Sequence, residues 1–116
     1  VYDVLHNTGV FIVEVLNYDR ILSERCMNFK DKETDAFLFK RRYDFLPDGD
    51  IRFTITFTDK QETTEHSGST LLHPLQRQSL LDLFKQTGFH SVKMYSDYCC
   101  TESKEDDYAT VYVAKK

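Results

Sequence analysis

The chain has 116 residues, about one small domain by length, and its 41% hydrophobic content with only 4 Gly and 2 Pro excludes a collagenous, disordered or low-complexity polymer. Its 19 acids against 15 bases give a net charge of −4, and the bases are scattered apart from Lys40, Arg41 and Arg42, so the footprint that a phosphate backbone requires is absent and no nucleic acid is expected as partner. Apolar runs such as Val10–Val13 fall far short of the roughly 18 to 20 residues of a membrane span, and no leader pattern opens the sequence. A soluble, cytoplasmic chain with no membrane partner is the expectation.

Cys26, Cys99 and Cys100 cannot all pair within one chain, and a disulfide between the two neighbours needs a strained peptide, so a reducing compartment fits them. Cys99 and Cys100 read first as ordinary thiols of a polar loop, ahead of a redox role. There is no Cys-x-x-Cys pair, and His6, His66, His73 and His90 never stand four residues apart, so no metal site is expected.

At the start, Val1, Val4 and Leu5 recur at helical spacing, and Gly9 stands where a left-handed cap is favoured; the end of a helix is predicted. A chain that opens inside a helix is expected to be part of something longer. Val10–Leu16 is apolar except for Glu14 and rich in β-branched residues, which predicts a strand covered on both faces. Asn17, Tyr18 and Asp19 then offer capping side chains ahead of a short helical segment, Arg20 to Arg25. Loops at the carboxyl ends of parallel strands are where open α/β sheets bind ligands, so these three residues mark the most informative position in the chain.

The middle of the sequence alternates with period two. Ala36–Phe45 and Asp50–Thr58 flank Leu46-Pro47-Asp48-Gly49, a turn signal, and are predicted to form a hairpin. Ile51, Phe53, Ile55 and Phe57 alternate with Arg52, Thr54, Thr56 and Thr58, which places one apolar and one polar face on the second strand. Residues 62 to 72 add a third strand that Ser67-Gly68-Ser69 could bulge or break. Lys40-Arg41-Arg42 reads as an edge-strand guard against aggregation.

Pro74 is predicted to start the longest helix, with Leu80, Leu81, Leu83 and Phe84 as its apolar stripe and Gly88 as its end. A strand from His90 to Asp97, a polar connection from Cys99 to Asp107 and a terminal strand, Tyr108–Ala114, complete the chain.

This order of elements resembles the C-terminal half of a class I S-adenosylmethionine-dependent methyltransferase. Asn7–Val13 stand where that family has its helix, turn and fifth strand, Gln86-Thr87-Gly88-Phe89 resemble the end of its last helix, and Tyr108–Ala114 resemble its seventh strand. Asn17-Tyr18-Asp19, followed by Arg20-Ile21-Leu22, is similar to the segment after the fifth strand in the glycine N-methyltransferase branch and its bacterial relatives, which also insert an antiparallel β segment before the last helix. The fold class implied is α/β, or α+β for this piece alone. It comprises the C-terminal part of a Rossmann-like sheet with one long helix and an antiparallel meander inserted over 36–72, with residues 1–116 forming a single piece of one domain.

The resemblance implies methyl transfer from S-adenosylmethionine to a small molecule by in-line displacement, a reaction that positioning accelerates and that needs no covalent protein nucleophile. The Gly-rich turn and the acidic residue with which the family holds the cofactor are not among these residues; Gly9, Gly49, Gly68 and Gly88 are isolated. The piece alone is therefore expected to be inactive and to need the N-terminal half of the domain. Glycine-specific members have an arginine before Asn-Tyr-Asp and paired tyrosines near Pro74, where this chain has Leu16 and Leu72-His73, which points away from glycine as acceptor.

The candidate substrate-binding residues are Asn17, Tyr18, Arg52 and His73; none is assigned a catalytic role. Asn17 and Asp19 read first as caps, Tyr18 either as an orienting hydroxyl or as packing with a wet tip, Arg52 as part of a solvated face, and His73 as a partly exposed capping side chain. In the family's sheet the fifth strand lies between the fourth and the seventh, so Val10–Leu16 alone would present a sticky edge, and self-association into a dimer is expected. The alternative from another class is a self-contained sheet-and-helix module, residues 36–90, that binds an apolar ligand or protein through its aromatic face.

Overall fold

The computed structural model describes all 116 residues, and their contacts divide the chain into two units, Val1–Ser23 with Leu75–Lys116, and Glu24–Pro74. No helix is long and apolar enough to cross a membrane.

The first unit holds β1 (Val10–Leu16), most of α1 (Tyr18–Glu24), α2 (Arg77–Thr87), β6 (Ser91–Tyr95) and β7 (Ala109–Lys115). Its sheet has the order β1-β7-β6 with β7 antiparallel to both neighbours, so β1 and β6 run the same way and end at the same margin. One face is apolar in register. Phe11, Val13 and Val15 of β1, Tyr112 and Ala114 of β7, and Val92 and Met94 of β6 pack with Leu80 and Phe84 of α2 and with Phe89, Tyr2 and Leu5. Leu80 and Phe84 are four residues apart and so share a helix face. The Phe84 ring lies within 6.1 Å of the rings of Phe11, Phe89 and Tyr112, and burying such a side chain contributes about 1.5 to 3 kcal/mol. As predicted, α2 ends at Gly88, in the left-handed region at φ 116°. The Gly88 and Phe89 amides both return to the Phe84 carbonyl and close the last turn.

Three expectations fail in this unit. The opening residues are not the end of an α-helix. Tyr2–Val4 form a single 3-10 turn, Leu5 is extended, and Gly9 is not left-handed. The Lys116 ammonium takes the carbonyls of Tyr2 (2.8 Å) and Leu5 (3.0 Å), which a helix would have used internally, and stands over the Tyr2 ring. Gly9 is needed for close approach instead, because a Cβ there would meet the His6 carbonyl oxygen at 2.8 Å. β1 is not covered on both faces either: Val10, Ile12 and Glu14 are exposed while Phe11, Val13 and Val15 face the core, because within this unit α2 lies against one face only. α2 begins at Arg77 rather than Pro74, since Gln76 is extended, and Leu83 falls on the solvent side of the helix.

The second unit is an antiparallel sheet of order β2-β3-β4-β5, made of β2 (Lys32–Glu33), β3 (Phe37–Phe45), β4 (Ile51–Asp59) and β5 (Thr64–Leu72). The predicted hairpin forms around Pro47-Asp48-Gly49: the Gly49 amide donates to the Leu46 carbonyl and the Asp48 carboxylate accepts the Asp50 amide. Pairing of Phe39 with Phe57, Tyr43 with Phe53 and Phe45 with Ile51 builds the aromatic face, to which Phe29 adds its ring 4.8 Å from that of Tyr43. β5 continues past Gly68, which pairs with Ile55, without a break. The guard reading of Lys40-Arg41-Arg42 also fails, because β3 is an inner strand. β2 covers one stretch of its outer edge, and a bridge between Asn28 and Arg42 covers another.

Candidate functional site

Because β1 and β6 end together and β7 starts beside them, the loops after β1 and before β7 meet at one margin of the first unit's sheet. Asn17 holds them together. Its side-chain amide donates to the carbonyls of Glu105 (2.8 Å) and Asp107 (2.9 Å), its Oδ1 accepts the Arg20 amide, and its own amide donates to the Tyr108 carbonyl. The Arg20 guanidinium adds a bond to the Asp106 carbonyl (2.8 Å), so residues 105–108 are bound from both sides. Asn17 is buried and has both ends of its amide engaged, which makes it the cap of α1 and the anchor of the 105–108 loop.

Asp19, the second residue of α1, caps a different helix. Its Oδ2 accepts the Arg77 amide at the start of α2 (3.0 Å), and Oδ1 accepts the Gln76 side chain (3.1 Å), which fixes where α2 begins and places a negative charge at its positive end. Arg77 in turn donates to the Ser103 hydroxyl (3.3 Å) and to Tyr112. Burial pushes the Tyr112 phenol above its ordinary value, the nearby Arg77 cation and its hydrogen bond oppose that shift, Asp19 reinforces it, and a hydrogen bond with Thr110 opposes it. Tyr18 is buried, and that burial, aided by Tyr108, likewise raises its phenol. Both phenols thus stay protonated near neutral pH. The margin is a polar rim of Asp19, Arg77, Ser103 and Tyr112 that can orient a ligand.

Of the residues singled out in the sequence, Asn17 and Tyr18 lie together at this margin. Tyr18 is packed in rather than wet-tipped. Arg52 and His73 belong to the second unit. Arg52 is exposed on the polar face of β4, between Asp44 and Leu71 in register. His73, just past β5, is 80% exposed with its Nδ1 3.0 Å from an Asp50 carboxylate oxygen, and it caps no helix. Arg77, Ser103 and Tyr112 were missed. Their one sequence signal is a tyrosine in an otherwise apolar terminal strand, whose hydroxyl must find a partner once buried.

The Gly-rich turn with which the resembled family holds S-adenosylmethionine has no counterpart among these residues. The strand-to-helix turn of this unit, Leu16 to Tyr18, carries no glycine, and the first amide of α2 is taken by Asp19. Gly9, Gly49, Gly68 and Gly88 lie before β1, in the hairpin turn, within β5 and after α2, none of them at a helix start. No three His, Cys, Asp or Glu side chains are grouped to hold a metal ion.

No protein-family model matches the chain. It is 30% identical over 99% of its length to a glycine/sarcosine N-methyltransferase of Aphanothece halophytica, of which it spans 42%. It is 29% identical, again over 99% of its length, to a glycine/sarcosine/dimethylglycine N-methyltransferase of Actinopolyspora halophila, of which it spans 20%. The chain thus spans less than half the length of these relatives. Among solved structures, an S-adenosylmethionine-dependent methyltransferase of Clostridium acetobutylicum superimposes with a TM-score of 0.75 over 92% of this chain and 44% of its own, at 15% identity. The CcbJ methyltransferase of Streptomyces caelestis does so with a TM-score of 0.81 over 97% and 45%, at 14% identity. In sequence and in fold, nearly every residue of this chain resembles the C-terminal half of a class I S-adenosylmethionine-dependent methyltransferase of the glycine N-methyltransferase branch.

Proposed function

We propose that this chain is the acceptor-side portion of a cytoplasmic S-adenosylmethionine-dependent methyltransferase acting on a small molecule by in-line displacement, with residues outside this chain holding the cofactor. The observation that carries the reading is the 99% coverage of the chain by a glycine/sarcosine N-methyltransferase at 30% identity. The rim built on Asn17, Tyr18, Asp19, Arg77, Ser103 and Tyr112 supports it: its parts are locked by main-chain and side-chain hydrogen bonds, the rigidity that a reaction accelerated by alignment asks of a pocket wall. Leu16 at the position before Asn17 offers no charge to a substrate carboxylate, so the acceptor is an amine, acid or phenol other than glycine.

The test is a methyl-transfer assay with the full-length protein and labelled S-adenosylmethionine against a panel of small amines, acids and phenols, with glycine, sarcosine and dimethylglycine included. Turnover of one panel member above glycine is the expected result; no turnover together with no cofactor binding overturns the reading. The 116-residue chain by itself is expected to show no calorimetric binding of S-adenosylmethionine, and low-micromolar affinity would contradict that division of labour.

A further inference from the structure

The run Lys40-Arg41-Arg42 has no edge to guard, and the second unit uses it otherwise. In register, Lys40 stands opposite Thr56 and Arg42 opposite Thr54, so two cations and two hydroxyls lie side by side on the polar face of β3 and β4. Beside them, residues 28 to 31 run along the outer edge of β3, bridged from Asn28 to Arg42 and held by the Phe29 amide on the Arg41 carbonyl. The result is a cavity of about 440 Å³ lined by Asn28, Phe29, Asp31, Lys40, Arg41, Arg42, Thr54 and Thr56.

Its donors outnumber its acceptors. Arg42 spends Nε on Asp44 (2.8 Å), a contact that leaves the two terminal nitrogens of its guanidinium. Arg41 is clamped with its guanidinium carbon 4.9 Å from the Phe29 ring centre and 5.8 Å from that of Phe39, and it donates through Nη2 to the Lys30 carbonyl. Arg41 thus belongs to the aromatic face of β3, opposite the face that carries Lys40 and Arg42, and its buried Nε takes no part in the clamp. Asp31 is the one carboxylate in the lining, and the cations on the polar face are Lys40 and Arg42.

We propose that this cavity is a binding site for a phosphate group, either free or borne by a small metabolite, with Lys40 and Arg42 as its charge clamp and Thr54 and Thr56 as its hydroxyl donors. A planar guanidinium and an ammonium beside two hydroxyls match the several acceptor oxygens of a phosphate, and 440 Å³ leaves room for a substituent on it. The site lies wholly within Glu24–Pro74 and does not depend on the methyltransferase reading.

The experiment is amide-resolved NMR titration of the full chain with inorganic phosphate, phenyl phosphate and, at matched ionic strength, sodium chloride. Saturable shifts confined to residues 28–31, 40–42 and 54–56 with phosphate, and absent with chloride, are expected. Phenyl phosphate binding more tightly than inorganic phosphate assigns the site to a phosphorylated metabolite; equal affinity assigns it to the free ion. Arg42→Gln and, separately, Lys40→Gln should each weaken binding about tenfold, the effect of one charge-assisted contact. Thr58→Val on the same strand, outside the lining, controls for general damage to β4. Shifts that are linear in phosphate, reproduced by chloride, or unchanged in both Gln variants overturn the proposal.

Discussion

Tyr112 shows what a single buried hydroxyl does to a terminal strand. It is 3% exposed, and the two residues before it, Thr110 and Val111, are 2% and 1% exposed. Along β7, Val111 and Val113 alternate with Thr110 and Tyr112. Burial does not follow this alternation: β7 is the central strand, paired along both edges by β1 and β6, and Thr110, Val111 and Tyr112 are all buried. The phenols of Tyr112 and Tyr18 ionise at higher pH in the folded chain than in the unfolded one, chiefly because of burial. The folded state therefore keeps protons that the unfolded state releases above about pH 10, so stability is fully present below that pH and falls as the pH climbs through the raised values. Denaturant unfolding at pH 9 and pH 11 should show a lower midpoint at pH 11, and Tyr18→Phe with Tyr112→Phe should flatten the difference. An unchanged slope in the double variant would mean that other groups cause the loss.

Between residues and elements, legibility followed the range of the interactions. Gly88 at the end of α2, the Pro47-Asp48-Gly49 turn and Asn17 as the cap of α1 are local signals, and each was readable. The start of α2 was not, because its cap comes from Asp19, 58 residues away, and a proline three residues too early supplied the more conspicuous cue. β2, only two residues long, has no period to detect; it exists because β3 has an edge to cover. The rim at the end of β1 was half visible for the same reason: Asn17-Tyr18-Asp19 are contiguous, whereas Arg77, Ser103 and Tyr112 reach it through tertiary structure. If Asp19 is what sets the first turn of α2, Asp19→Ala should cost about 1 kcal/mol. That corresponds to a midpoint lower by about 4 to 8 °C for a unit of this size. Asp19→Asn, which keeps an acceptor oxygen without the charge, should recover most of the loss, and equal destabilisation by both would show that the charge rather than the hydrogen bond matters.

At the scale of the whole molecule, the strand order β1-β7-β6 leaves one row of β1 main-chain donors and acceptors without a strand partner. The exposed face of that strand carries Val10 and Ile12, 43% and 54% exposed. An edge seven residues long, with Glu14 as its sole charge and no proline, is a template for another strand. The relatives it resembles are more than twice as long as this chain, and a strand from the rest of such a protein would satisfy the edge. In the 116-residue chain alone, the available strand is the β1 of a second copy. Light scattering should therefore show an apparent mass that rises with concentration from 13.7 kDa toward twice that value. Ile12→Lys places a charge on the exposed face at the middle of β1 without touching the core formed by Phe11, Val13 and Val15, so it should hold the chain monomeric while leaving its thermal midpoint at low concentration unchanged. A wild-type chain that stays at the monomer mass at high concentration, or an Ile12→Lys variant that associates as readily as wild type, would show that this edge is not what the chain uses to pair.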